Sequence, residues 1–144
     1  MYGFPFGAAV KRYEELDHTA DVAIRAYGRT PSELFANAAA GMFSLIVNVD
    51  TVQSKGEATV EVTGDDIPNA LFRFLSELLF LHETQHIVFR EFEVSLEGLR
   101  VRATARGEAI DRTRHELLLN VKAVTYHTMV VDLEKGEATI VFDI

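Results

Sequence analysis

The stretch Asp21-Val22-Ala23-Ile24-Arg25-Ala26-Tyr27-Gly28-Arg29-Thr30-Pro31-Ser32-Glu33-Leu34-Phe35 changes its hydrophobic period half-way along. Up to Tyr27 the pattern alternates. Val22, Ile24 and Ala26 face one way and Asp21, Arg25 and Tyr27 the other, as in a half-buried strand. Gly28 ends the strand. Thr30 then has the chemistry of a helix N-cap, Pro31 suits the first helical position, and Glu33 completes a capping box. From Leu34 the spacing is helical: Leu34, Phe35, Ala38, Ala39, Met42, Phe43 and Ile46 form one apolar face. A strand feeding a helix within fifteen residues sets the terms for the rest of the chain.

Outward from this stretch the same two periods recur. Tyr13 to Leu16 reads as a short first strand, joined by Asp17-His18-Thr19-Ala20 to the alternating one. Ala58 to Val62 alternates again. Asp65 or Asp66 caps a second helix with Pro68 in its first turn, and Leu71, Phe74, Leu75, Leu78, Leu79 and Leu81 make its buried stripe. His82, Glu83 and His86 fall at or past its end. Val88 to Leu96 and Leu99 to Ala105 form a hairpin around Glu97-Gly98. Asp111 to Leu119 has no clear period. Val121 to Leu133 is apolar on both sides in places, the mark of a central strand. Lys135-Gly136 turns the chain into a last strand, Ala138 to Ile144. The expected fold is α+β: two helices packed on a mixed, largely antiparallel β-sheet. Residues 1–12 read as an N-terminal extension and residues 13–144 as one domain.

The composition bounds the function. A chain of 144 residues with 48% apolar and 25% charged residues can bury a core. There is no cysteine, so no disulfide, thiolate metal site or cysteine nucleophile. Met1 to Ala9 is apolar but short and lacks the basic leader of a secretory signal. No apolar run approaches a membrane span, and a cytoplasmic location is expected. The net charge of −8 and pI near 5.1 argue against a protein that chiefly grips phosphate backbones. Arg100, Arg102 and Arg106 do alternate along one strand face, with Arg112 and Arg114 following.

The residues able to carry chemistry are acids and histidines near strand ends. Asp17, His18 and Asp21 share one segment, and Asp143 sits beside Ile144, whose terminal carboxylate would add an oxygen. Oxygen donors of this kind suit a hard divalent cation. Asp21 and Asp143 both leave the apolar faces of their strands, so they would meet only if those strands were neighbours. From the residue pattern alone, acids capping a turn and starting a strand in solvent are the better reading. His18 and His127 could pair in acid–base work or bind a transition metal, although a packed His127 on a central strand is commoner. His82 and His86 lie four apart without an evident third ligand. There is no P-loop, dinucleotide fingerprint, HExxH or GxSxG, and Ser32, Ser44, Ser76 and Ser95 lack the strained turn of a nucleophile.

Tyr13-Glu14-Glu15-Leu16-Asp17-His18-Thr19-Ala20-Asp21 resembles the opening motif of the archease family. The resemblance continues through the first helix, returns in Val121-Lys122-Ala123-Val124-Thr125-Tyr126-His127, and closes on Asp143-Ile144. It implies an α+β protein cofactor, not itself an enzyme, that activates an RtcB-type RNA ligase in tRNA splicing by promoting guanylylation of the ligase and its multiple turnover. It also implies metal-binding positions at Asp21, Asp143 and Ile144, with Asp17 in the same motif. The expected cofactor is a divalent cation, calcium first, with magnesium and manganese as rivals. The expected partner is the ligase, with no stable direct binding to nucleic acid and no membrane. Three readings compete: a general chaperone or modulator of nucleic-acid-processing proteins, a small metal-dependent hydrolase using Asp17, His18, Asp21 and Asp143, and an RNA binder using the arginine face.

Overall fold

A computed structural model describes residues 11–16 and 21–144. In these residues the chain runs β1 (Tyr13–Leu16), β2 (Val22–Tyr27), α1 (Pro31–Ile46), β3 (Gly56–Thr63), α2 (Ile67–Gln85), β4 (Ile87–Glu97), β5 (Arg100–Ala109), β6 (Ala123–Asp132) and β7 (Glu137–Asp143). The architecture is α+β, as expected. The strands fall into two sheets, one ordered β1-β2-β7-β6 and one ordered β3-β5-β4. Every pairing is antiparallel.

Both helices begin where their capping residues stand. The Thr30 hydroxyl accepts the Glu33 N–H at 3.1 Å, and the Glu33 carboxylate reaches back to the Arg29 N–H at 2.7 Å, one residue beyond the N-cap. Asp66, not Asp65, caps α2, accepting the Asn69 N–H at 2.8 Å. The apolar stripes face inward together. Phe35 of α1 stacks on Phe74 of α2 with centroids 6.2 Å apart, and Phe43 meets Phe89 of β4 edge-on at 5.5 Å. These rings, with Leu34, Met42, Leu71, Leu75 and Leu78, are wholly buried, each adding about 1.5–3 kcal/mol by leaving water. Leu81 is the partial exception at the end of the stripe, half-buried against the same core. Gly41 lets α1 lie close on the first sheet, since a Cβ there would fall 2.6 Å from the Ile24 side chain.

The hairpin between β4 and β5 turns one residue later than expected. Glu97 pairs with Arg100, leaving Gly98-Leu99 as the loop. Gly98 has φ of +63°, as the first position of a II′ turn requires.

The strand expected over Val121–Leu133 is β6, and it is not central. It pairs with β7 alone and forms an edge of the first sheet. Between the pairs Thr125↔Val141 and Val130↔Thr139 the register shifts. Four β6 residues, Tyr126 to Met129, thus stand against Ile140 alone, a large bulge. The bulge explains the misleading sequence. Val124 and Met129 both point inward although five residues separate them, because the bulge reverses the side-chain parity within one strand. Apolar residues therefore appear on both apparent faces, while Tyr126 and Val130 are exposed. The central position belongs to β7, between β2 and β6, whose Ile140 and Phe142 are fully buried.

Candidate metal centre at the joined chain ends

Asp21 and Asp143 meet the condition set by their strands. β2 lies directly beside β7, with the register Val22↔Phe142, Ile24↔Ile140 and Ala26↔Ala138. These pairs form the apolar face, and the intervening Ala23↔Val141 and Arg25↔Thr139 form the other. The pairing ends at Val22↔Phe142, so Asp21, just before β2, and Asp143, the last residue of β7, lie at the same end of two paired strands. Asp21 is half-buried and Asp143 exposed. Each flank of Asp143 is held. Its carbonyl accepts the Lys122 N–H at 2.8 Å, and its Oδ1 lies 3.5 Å from the Thr125 hydroxyl. Ile144 follows at the exposed end of the strand. Asp17 and His18 lie outside the described residues. Among the described residues no group of three or more His, Asp or Glu side chains stands together as a metal site. The described donors are thus Asp21, Asp143 and the main-chain oxygens of Ile144, hard oxygen ligands of the kind divalent cations prefer.

Comparison with known proteins places the chain in a family. The model of the archease protein family matches residues 13–144. The protein archease of Pyrococcus abyssi is 43% identical over 127 residues, spanning 85% of this chain and 89% of its own length. That of Methanopyrus kandleri is 42% identical over 128 residues, spanning 86% and 91%. The chain belongs to the archease family. The solution structure of Methanobacterium thermoautotrophicum protein 1598 superposes with a TM-score of 0.80 at 36% identity, covering 94% of this chain and all of that one.

The other residues singled out in this archease-family chain have different fates. The arginine row on β5 is not a basic patch. Glu61 binds Arg100 and lies 3.6 Å from Arg102, while Arg106 sits 3.4 Å from Glu57 and 2.5 Å from Glu93. The hydrogen bond from Arg100 holds the Glu61 carboxyl below its ordinary range, against the opposing cost of desolvation. Carboxylates from β3 and β4 already meet these guanidinium groups, so little positive potential is left for a phosphate backbone. His127 is exposed within the β6 bulge instead of packed on a central strand. His82 lies in α2, and a ring-nitrogen contact of 2.8 Å to the Ile87 carbonyl occupies its Nδ1. His86 is the helix C-cap in the left-handed region, with φ of 55°. No helix of the described residues is long and apolar enough to cross a membrane.

One cluster was missed by sequence reasoning. The aperiodic segment after β5 is fastened by Glu108, Arg114 and His115. Arg114 donates two hydrogen bonds to Glu108, at 2.9 and 2.8 Å. Glu108 also accepts the Gln53 N–H at 2.7 Å and faces His115 Nε2 at 2.8 Å. His115 Nδ1 accepts the Asp111 N–H at 2.9 Å, so its proton sits on Nε2 and is donated to Glu108. The bonds from Arg114, with those from Gln53 and His115, hold the Glu108 carboxyl far below the usual carboxylate range despite burial. The one local sign is Asp111, whose Oδ1 accepts the Thr113 N–H at 3.0 Å, an Asx turn. The clasp sets the following residues along α1. The N–H groups of Leu118 and Leu119 donate to the Ile46 and Leu45 carbonyls at 2.8 and 2.9 Å, satisfying the end of that helix.

Proposed function

We propose that this chain is a protein cofactor of an RtcB-type RNA ligase in tRNA splicing, acting in the cytoplasm to promote the ligase's guanylylation and repeated turnover. The chemistry belongs to the ligase. The observation that carries the reading is the β2–β7 pairing, which brings Asp21 and Asp143 to the same end of two paired strands in a chain of the archease family. Asp21, Asp143 and Ile144, joined by Asp17 from the same motif, would hold a divalent cation, calcium first, with magnesium or manganese as rivals. A bound divalent cation supplies charge neutralisation for phosphate oxygens. The chain's own contribution is placement. Two carboxylates on neighbouring strands of one rigid sheet keep their spacing without help from a partner, and the exposed strand end can enter a cleft. The acidic surface favours a protein partner with basic groups over naked RNA.

The direct test is ligase guanylylation and multiple-turnover ligation with and without the purified chain, across calcium, magnesium and manganese. The expected result is a higher guanylylated fraction and more than one turnover per ligase only when the chain is present. Unchanged turnover would remove the reading. GTP hydrolysis or RNA joining by the chain alone would replace it with an enzyme.

A further inference from the structure

We propose that Thr125 is a positioning residue for the cation site, its hydroxyl orienting the Asp143 carboxylate without neutralising it. This rests on the reading that Asp143 helps hold a divalent cation.

Three observations lead to it. First, the β6–β7 register pairs Ala123 with Asp143 and Thr125 with Val141. Thr125 is therefore the diagonal neighbour of Asp143 on the face that Asp143 shares with Val141, a separation that side chains span. Second, Thr125 Oγ1 lies 3.5 Å from Asp143 Oδ1. That is longer than the 2.7–2.8 Å typical of an O–H···O bond. The hydroxyl stands within reach of one carboxylate oxygen without gripping it. Third, the regular ladder stops at Thr125, because the four-residue bulge follows at once. Bulges of this kind re-aim side chains beside functional sites. Thr125 is the last residue whose position the ladder fixes before the bulge, beyond which pairing resumes at Val130.

The residue type fits the task. Asp143 and Asp21 are like charges at the same end of two paired strands, and each carboxylate swings its oxygens about its own χ2. A lysine or arginine at position 125 would restrain Asp143 but would cancel the charge that attracts a cation. A hydroxyl restrains it and leaves the charge whole. A β-branched residue also has a stiff χ1, so the hydroxyl is held in place by the residue's own geometry. This is the outer-shell role in which a neutral donor orients a ligating carboxylate.

The test is calorimetric titration of the purified chain with calcium, comparing wild type with Thr125→Val, Thr125→Ser and Asp143→Asn, alongside melting temperatures in a chelator. Valine keeps the shape of threonine and loses the hydroxyl, while serine keeps the hydroxyl. The expected result is that Thr125→Val raises the calcium Kd by about tenfold, Thr125→Ser stays near wild type, and both melt with the wild type. Equal calcium binding by Thr125→Val and wild type, with Asp143→Asn still losing it, would overturn the role of Thr125 and leave the site standing. Equal losses in the valine and serine variants, with lowered melting temperatures, would assign Thr125 to packing and also overturn it. Failure of the wild type to bind calcium, magnesium or manganese would remove the site and Thr125's role with it.

Discussion

Two acidic sites in this molecule are built on opposite plans. Glu108 is nearly inaccessible, and four donors meet it: two from Arg114, one from the Gln53 backbone and one from His115. Asp143 is exposed, and the described partner of its side chain is a neutral hydroxyl at 3.5 Å. Another acid, Asp21, lies just before the neighbouring strand at the same end of the sheet. A buried carboxylate must have its charge met or the fold suffers. An exposed carboxylate such as Asp143 keeps its hydration and needs no such set of donors. The first acid serves structure. The second is the acid that the proposed function assigns to a cation.

The comparison breaks or sharpens most clearly at Asp143. Asp143→Asn is expected to abolish cation binding and ligase activation while leaving the melting temperature unchanged or slightly raised without metal, because it relieves like-charge repulsion. Asp21→Asn should weaken cation binding and ligase activation in the same way. Metal titration and ligation assays check both, and a fully active Asp143→Asn would erase the contrast. His115→Ala should do the reverse. It removes one of the three donors to Glu108 Oε2, leaves the Asp111 N–H unpaired and empties the space of a buried ring, and a stability loss of about 3 kcal/mol is expected by urea denaturation, with cation affinity retained in the folded fraction.

Acid separates the two sites as well. Glu108 is depressed in the folded state, first by its bond to Arg114. Its contribution to stability is present above the unfolded carboxyl pKa of about 4.3 and is lost as pH falls below that toward the folded value. Wild type should therefore weaken steadily below about pH 5. Glu108→Gln should start weaker at pH 7 and fall less steeply, a difference that urea midpoints at pH 7 and pH 3 would measure. Equal slopes would mean the clasp carries no net charge stabilisation. The smallest effect belongs to neither site. Thr30→Ala removes an N-cap and should cost about 1 kcal/mol with activation unaltered.

What the sequence made legible follows from locality. The cap at Thr30, a cap at Asp65 or Asp66, the apolar stripes of both helices and the alternation of β2 and β5 are set by residues within a few positions of one another, and the structure has all of them, with Asp66 as the second cap, Leu81 only half-buried and the β4–β5 turn one residue on. The parity of Asp21 and Asp143 was readable too, since it depends only on counting along a strand. That their strands are neighbours was not, because pairing across nearly the whole chain leaves no periodic trace. The edge position of β6 was hidden by its bulge, which mixed inward and outward residues into one apolar run. The Glu108 clasp was hidden for a different reason. Its members are close in sequence, but hydrogen bonding among irregular backbone follows no period, and only the Asx turn at Asp111 hinted at order.

The pairing of β2 with β7 also bears on how the molecule comes into being. Strands that lie side by side in the sheet are separated by nearly the full length of the chain. Bringing them together costs the entropy of closing a very long loop, and contacts of that kind generally slow folding. On a ribosome, where the amino-terminal part emerges first, the middle of the first sheet stays vacant until β7 arrives. The two acids therefore come to the same end of the sheet only once β7 has been made and has docked. Truncated products that keep both helices and the hairpin would still lack the central strand and one half of the carboxylate pair.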